Sequence, residues 1–288
     1  MYIRHYGLRE KPFSLTPDPR FLFLSTSHRE ALAHLLYGIE QGEGFIAVTG
    51  EVGTGKTTLC RTLLERLGPD AEVAYLFNPR VTGIELLEAV HRELGLPGEG
   101  TRAQLLDHLN RFLLEMSRAG RRVLLLVDEA QNLPVETLEE LRLLSNLETT
   151  TEKLLQIVLF GQPELDALLD SPALRQLRQR IGVRWRLESL SDPEACDYVL
   201  HRLRVAAGGE ADLFSPAALR ELRRRSRGVP RLVNLLADRA LLAGYADGSQ
   251  RVERVHVGRA AREILRARQR RRGRVLPRWK RFAGKRSD

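Results

Sequence analysis

Gly50-Glu51-Val52-Gly53-Thr54-Gly55-Lys56-Thr57 sets three glycines, a lysine and a hydroxyl in the pattern G-x-x-x-x-G-K-[ST]. Glycines admit backbone conformations that turn successive N–H groups toward one point, and the lysine adds a full positive charge beside them. Such a segment can hold phosphate groups. Gly50 through Thr58 would form the cradle, Lys56 would reach the terminal phosphates of a nucleoside triphosphate, and Thr57 would ligate Mg²⁺. A second segment, Val123-Leu124-Leu125-Leu126-Val127-Asp128-Glu129, ends an apolar run on two acids. Asp128 is the expected metal partner and Glu129 the base that polarises an attacking water, which makes the pair the hydrolytic half of an ATP site. Alone, an acidic pair after an apolar strand is most often a solvated strand end. A phosphate loop in the same chain reverses that reading.

These residues need rigid elements to hold them. Apolar runs at 44–50, 72–77, 122–128, 154–160 and 183–188 read as strands, with helical-period stretches between them. Alternating strands and helices predict an α/β domain of three layers around a parallel five-stranded sheet. After Leu190 the strand signals stop. Ser191-Asp192-Pro193-Glu194 reads as a capping box, Ser215-Pro216 as an N-cap with proline at N1, and Gly228-Val229-Pro230 as a break before another helix. The predicted organisation is an α/β domain over 1–190 that includes a proline- and aromatic-rich leader packed on its core, a small helical lid domain over 191–268, and a polybasic tail over 269–288.

Composition narrows the function classes. At 288 residues with 43% hydrophobic content the chain can bury a full core. Cys60 and Cys196 make no disulfide framework or zinc spacing, which fits the reducing cytoplasm, and the start has no apolar export signal. His28, His34, His91 and His201 have no partners at ligand spacing and read as surface or packing residues. A G-x-S-x-G nucleophile elbow is missing, so a hydrolase other than an NTPase has little support. The formal charge of +9 is concentrated at the C-terminus, where twelve Lys or Arg between Arg262 and Asp288 face two acids and leave the body near neutral. Val275, Leu276, Trp279 and Phe282 interleave with those charges, so nucleic acid, an anionic membrane surface and a merely solvated terminus all stay open for the tail.

The phosphate loop, the Val127-Asp128-Glu129-Ala130-Gln131 strand end, Phe160-Gly161-Gln162-Pro163-Glu164-Leu165, Leu177-Arg178-Gln179-Arg180-Ile181 and Gly228-Val229-Pro230-Arg231-Leu232-Val233-Asn234 together resemble an AAA+ ATPase. The opening Tyr6-Gly7-Leu8, Pro12-Phe13, Thr16-Pro17-Asp18-Pro19-Arg20 and His28-Arg29-Glu30-Ala31-Leu32 resembles the ExeA/GspA-type members, over roughly residues 1 to 268. The resemblance implies ATP and Mg²⁺ as ligands and a homo-oligomer. Gln162 would be the sensor-1 residue, where the family more often has Asn or Thr. Arg180 would be an arginine finger for the neighbouring subunit, with Arg178 and Arg175 as rivals, and Arg231 a sensor-2 residue. It also implies a cytoplasmic protein, with peripheral attachment at the inner face of the membrane left open. Its protein partners would belong to a secretion, pilus or polysaccharide-export machine. The alternative is a DNA-binding regulator like the transposition-targeting AAA+ ATPases. Full-length ExeA/GspA proteins continue into a membrane span and a periplasmic domain, whereas this chain stops at a basic tail, which leaves room for that alternative.

Overall fold

A computed structural model describes residues 1–15, 18–77, 79, 81–150 and 152–273, with side chains to Leu265. Most of the polybasic tail, and with it the nucleic-acid and membrane readings, lies outside the described residues. The chain divides into two compact units. One is the α/β unit, from Pro17 to Ser191 with Val229–Arg231 added, and the other is helical.

In chain order the helices are α1 (Tyr2–His5), α2 (Thr26–Glu40), α3 (Lys56–Leu67), α4 (Gly83–Glu93), α5 (Arg102–Arg118), α6 (Val135–Leu144), α7 (Pro163–Leu169), α8 (Arg175–Arg178), α9 (Asp192–Ala207), α10 (Pro216–Ser226), α11 (Pro230–Ala246) and α12 (Arg254–Gly273). The strands are β1 (Phe45–Gly50), β2 (Ala71–Phe77), β3 (Arg122–Asp128), β4 (Gln156–Gly161) and β5 (Ile181–Leu187). All five strands lie parallel in the order β2-β3-β4-β1-β5. The period of two sorts their side chains. Phe45, Ala47, Leu125, Val127, Ile157 and Leu159 face one layer with α4 to α7, whereas Ile46, Val48, Leu124, Leu126, Val158 and Phe160 face α2 and α3. Both faces are covered, which is why these runs are continuously apolar rather than alternating. The order also puts β1 beside β4 and β5 although β2 follows it in the chain. The carboxyl ends at such a switch point form the usual binding crevice of an open parallel sheet.

The helical unit corrects one expectation. The leader does not belong as a whole to the α/β domain: residues up to Thr16 group with Asp192–Gly228 and the chain from Leu232. Polar anchors and aromatic packing account for this. Arg202, buried on α9, donates from Nε to the Pro12 carbonyl at 2.6 Å and from Nη2 to that of Ser14 at 3.2 Å. Tyr2 donates its hydroxyl to Asp238 at 2.6 Å, and Phe13 meets Phe214 edge to face at 6.1 Å. Only from Asp18 onward does the leader join the α/β unit. Ser215 caps α10 as its sequence implies, accepting the Ala218 N–H at 3.2 Å with Pro216 at N1.

Glu221 on α10 is buried beneath three guanidiniums, those of Arg224 (2.6 Å), Arg225 (2.8 Å) and Arg254 (3.6 Å). The hydrogen bonds from Arg224 and Arg225 hold its carboxyl down at about 2 from the ordinary 4.5. A depressed carboxylate stabilises the fold above its unfolded value and loses that contribution as pH falls through the folded one. Because the arginines are more than a third exposed, solvent screens much of the effect. Glu221→Gln is expected to cost roughly 1 kcal/mol at neutral pH. It should also flatten the decline in stability between pH 4.5 and about 2. Denaturant melts across that range check both, and a wild-type profile already flat there would refute the assignment.

Candidate active site

The loop between β1 and α3 is shaped by backbone rather than side chains. Gly53 and Gly55 have φ of +85° and +107°, in the left-handed region where other residues are strained. They are crowded as well. A Cβ on Gly53 would lie 2.5 Å from Cβ of Arg231, and one on Gly55 would lie 2.6 Å from Nε2 of His28. Gly55 is the N-cap of α3 and supplies no side chain to its first N–H groups. Those donors and the positive end of the helix therefore face the cradle, an arrangement that attracts an anion.

Lys56 is 6% exposed, and its Nζ donates to the carbonyl oxygens of Gly50 at 2.7 Å and Glu51 at 3.1 Å. Burial pushes its ammonium below the ordinary lysine value, while Glu129, Asp128, Glu51 and Glu164 pull the other way. The Glu51 carbonyl also accepts the Thr54 hydroxyl at 2.9 Å, closing the loop on itself. Val52 sits exposed at the tip, and Thr58 continues the first turn of α3, its carbonyl accepting the Thr62 hydroxyl at 3.1 Å.

Asp128, at the end of β3, is fully buried. Its Oδ2 accepts the Thr57 hydroxyl at 2.8 Å and the Tyr75 hydroxyl at 3.4 Å, and its Oδ1 accepts the Glu129 N–H at 2.9 Å. A hydroxyl paired to a carboxylate beside a phosphate cradle is a donor set that suits Mg²⁺, so the residues present fit the metal. Glu129 stands at φ +56°, one of two non-glycine residues with positive φ among those described. Its Oε2 accepts from Nε2 of Gln131 at 2.6 Å and from Nε2 of Gln162, at the tip of β4, at 2.8 Å. Lys56, Thr57, Asp128, Glu129 and Gln162 therefore converge at the carboxyl ends of β1, β3 and β4.

Two arginines complete the expected set. Arg231 joins the cradle through its backbone, donating its N–H to the Gly53 carbonyl at 3.2 Å, with its side chain exposed. Arg180 is not brought into this site. It precedes β5, at the opposite end of the parallel sheet, and its Nη1 donates to the Ser145 hydroxyl at 3.0 Å and to the Asn146 side-chain oxygen. Arg175 and Arg178 on α8 are exposed.

Three residues at the site carried no role in the sequence reading. Tyr75 and Gln131 touch the acidic pair, and His28, buried and bonded through Nδ1 to the Ser25 hydroxyl at 2.6 Å, abuts Gly55. Gln131 alone had a local signal, as a polar residue two places after the acids. Cys60 lies on α3 close to Asp128, and burial pushes its thiol up to about 12, leaving it inert.

Residues 39–169 match the model of the AAA domain family. Over 266 residues the chain is 48% identical to General secretion pathway protein A of Aeromonas hydrophila, covering 92% of this chain and 48% of that protein. It thus spans about half the length of that relative. Among solved structures it resembles the ORC2 protein of Aeropyrum pernix, at 20% identity and TM-score 0.64 over 88% of this chain and 71% of that one. It also resembles Cdc6p of Pyrobaculum aerophilum, at 20% identity and TM-score 0.66 over 88% and 70%. At that identity the structural likeness speaks for the fold alone. The phosphate loop, the acidic strand end, the β2-β3-β4-β1-β5 sheet and the 48% identity agree: the chain carries an AAA domain over residues 39–169 and is similar to the AAA+ ATPases of the ExeA/GspA-like family.

Proposed function

We propose that the chain binds MgATP and hydrolyses it in a homo-oligomer, and uses the cycle to assemble or remodel an envelope secretion, pilus or polysaccharide-export machine from the cytoplasmic side. The convergence of an ammonium, a hydroxyl–carboxylate pair and an amide-anchored carboxylate at three strand ends carries the chemical part. The name of the Aeromonas relative supports the secretion part.

Lys56 would exchange the carbonyls of Gly50 and Glu51 for β- and γ-phosphate oxygens, trading neutral acceptors for anionic ones. Thr57 and Asp128 would hold Mg²⁺, which when bound neutralises phosphate charge. Glu129 would draw the proton from the attacking water. Gln162, as the sensor, would contact that water or the γ-phosphate beside Glu129. Arg231 is exposed, with the stem of its side chain against Gly53, and its guanidinium would close on the γ-phosphate. Arg180, at the far end of its own sheet, would serve the site of the next subunit, where a fixed positive charge stabilises the transition state.

Turnover per subunit is therefore expected to rise with protein concentration as the shared sites form. Arg180→Ala should bind ATP normally and lose roughly 10³-fold in turnover. ATPase titrations over protein concentration check this. Full-rate hydrolysis by a monomer would refute the shared site, and normal turnover by Arg180→Ala would pass the finger role to Arg178 or Arg175.

A further inference from the structure

The carboxylate of Glu129 is held on one side only. Both amide donors, Gln131 Nε2 at 2.6 Å and Gln162 Nε2 at 2.8 Å, converge on Oε2, and Oε1 has no hydrogen-bond partner among the described residues. Gln131 also reaches across to β4, where its Oε1 accepts the backbone N–H of Gln162 at 3.0 Å. A backbone N–H can only donate, so the Gln131 amide oxygen must face Gln162 and its NH₂ must face Glu129. The three residues close a ring that ties the tip of β3 to the tip of β4.

The backbone makes such a ring necessary. Glu129 stands in the left-handed region, where a non-glycine residue is strained and needs its surroundings to hold it. The next residues, Ala130–Asn132, form a single 3₁₀ turn that gives the side chain no rigid neighbour of its own. A glutamate has three rotatable bonds, and a general base must stay within hydrogen-bond reach of the water it deprotonates. Without a partner on Oε2, the carboxylate would sample rotamers in which neither oxygen faces the cradle.

We propose that Gln131 is a positioning residue for ATP hydrolysis: it anchors Oε2 of Glu129 and so presents Oε1 to the attacking water. This rests on the reading of Glu129 as the base. Gln131 acts through Glu129 and touches no phosphate, so its loss lowers the hydrolytic rate and spares nucleotide affinity. Gln162 has a part in the same ring, since its side chain reaches the carboxylate in the structure.

The test uses the full chain and two variants of similar reach. Gln131→Glu keeps the acceptor for the Gln162 N–H but removes the donor to Glu129, and Gln131→Met removes both. Single-turnover hydrolysis of MgATP and the Kd of a fluorescent ADP analogue are measured for each, alone and in the Glu129→Gln background. Both variants are expected to fall at least about tenfold in rate with Kd within about twofold, as is usual when the partner that orients a catalytic group is removed. In the Glu129→Gln background Gln131→Glu should cause no further fall, because its target is already gone. Three results would overturn the proposal: a wild-type rate in Gln131→Glu, an equal fall with and without Glu129, or a loss of nucleotide affinity alongside the rate. A Glu129→Gln variant that turns over normally would instead remove the base itself, and the proposal with it.

Discussion

Lys56→Ala is expected to abolish measurable nucleotide binding while leaving the fold intact. The ammonium is the cationic side chain of the phosphate loop, and charge-assisted hydrogen bonds to phosphate contribute about 1.5–3 kcal/mol each, so losing two should cost at least 10²-fold in affinity. Its effect on stability points elsewhere. Lys56 is buried at an energetic penalty visible in its lowered pKa, and removing it relieves that penalty while leaving the Gly50 and Glu51 carbonyls short of a donor. These terms oppose each other, so thermal stability without nucleotide should change little. The rise in Tm that ATP gives the wild type should vanish. Calorimetry with and without MgATP separates the two, and a variant that still gains stability from nucleotide would show that Lys56 is not the phosphate ligand.

Glu129→Gln should behave in the opposite sense. The amide is isosteric and its oxygen can still accept from Gln131 and Gln162, so the strand end keeps its shape. The cradle is untouched and nucleotide should bind as before. Without a base, hydrolysis is expected to slow by about 10²–10⁴-fold. Single-turnover assays with bound nucleotide quantified in parallel will show this, and a normal rate would take Glu129 out of the mechanism. A trapped ATP-bound form also makes this variant the preferred bait for capturing partners.

Much of the site was legible because its information is local. A phosphate loop is a backbone shape, and glycines at 50, 53 and 55 with Lys56 specify that shape within eight residues. Asp128 and Glu129 were legible because an apolar strand in a parallel sheet ends at the crevice, which follows from period and polarity alone. The sheet was readable for the same reason, with strand ends differing by a residue or two. Contacts between distant segments were another matter. The leader's aromatics could have packed on either unit, and Arg202, 190 residues from Pro12, decides for the helical one. The ring through Gln131 depends on where β4 ends beside β3, and the anchoring of Arg180 by Ser145 depends on where α6 ends beside β5. Spacing along the chain carries neither.

The positive φ of Glu129 reaches beyond the reaction. Strain of that kind stores of order 1–3 kcal/mol, which glycine at the same place would release, together with the carboxylate. Thermal robustness and turnover are thus set against each other at one residue. A library sorted on melting temperature alone would enrich the substitution that removes the proposed base, so any effort to harden this scaffold has to select on ATP hydrolysis at the same time.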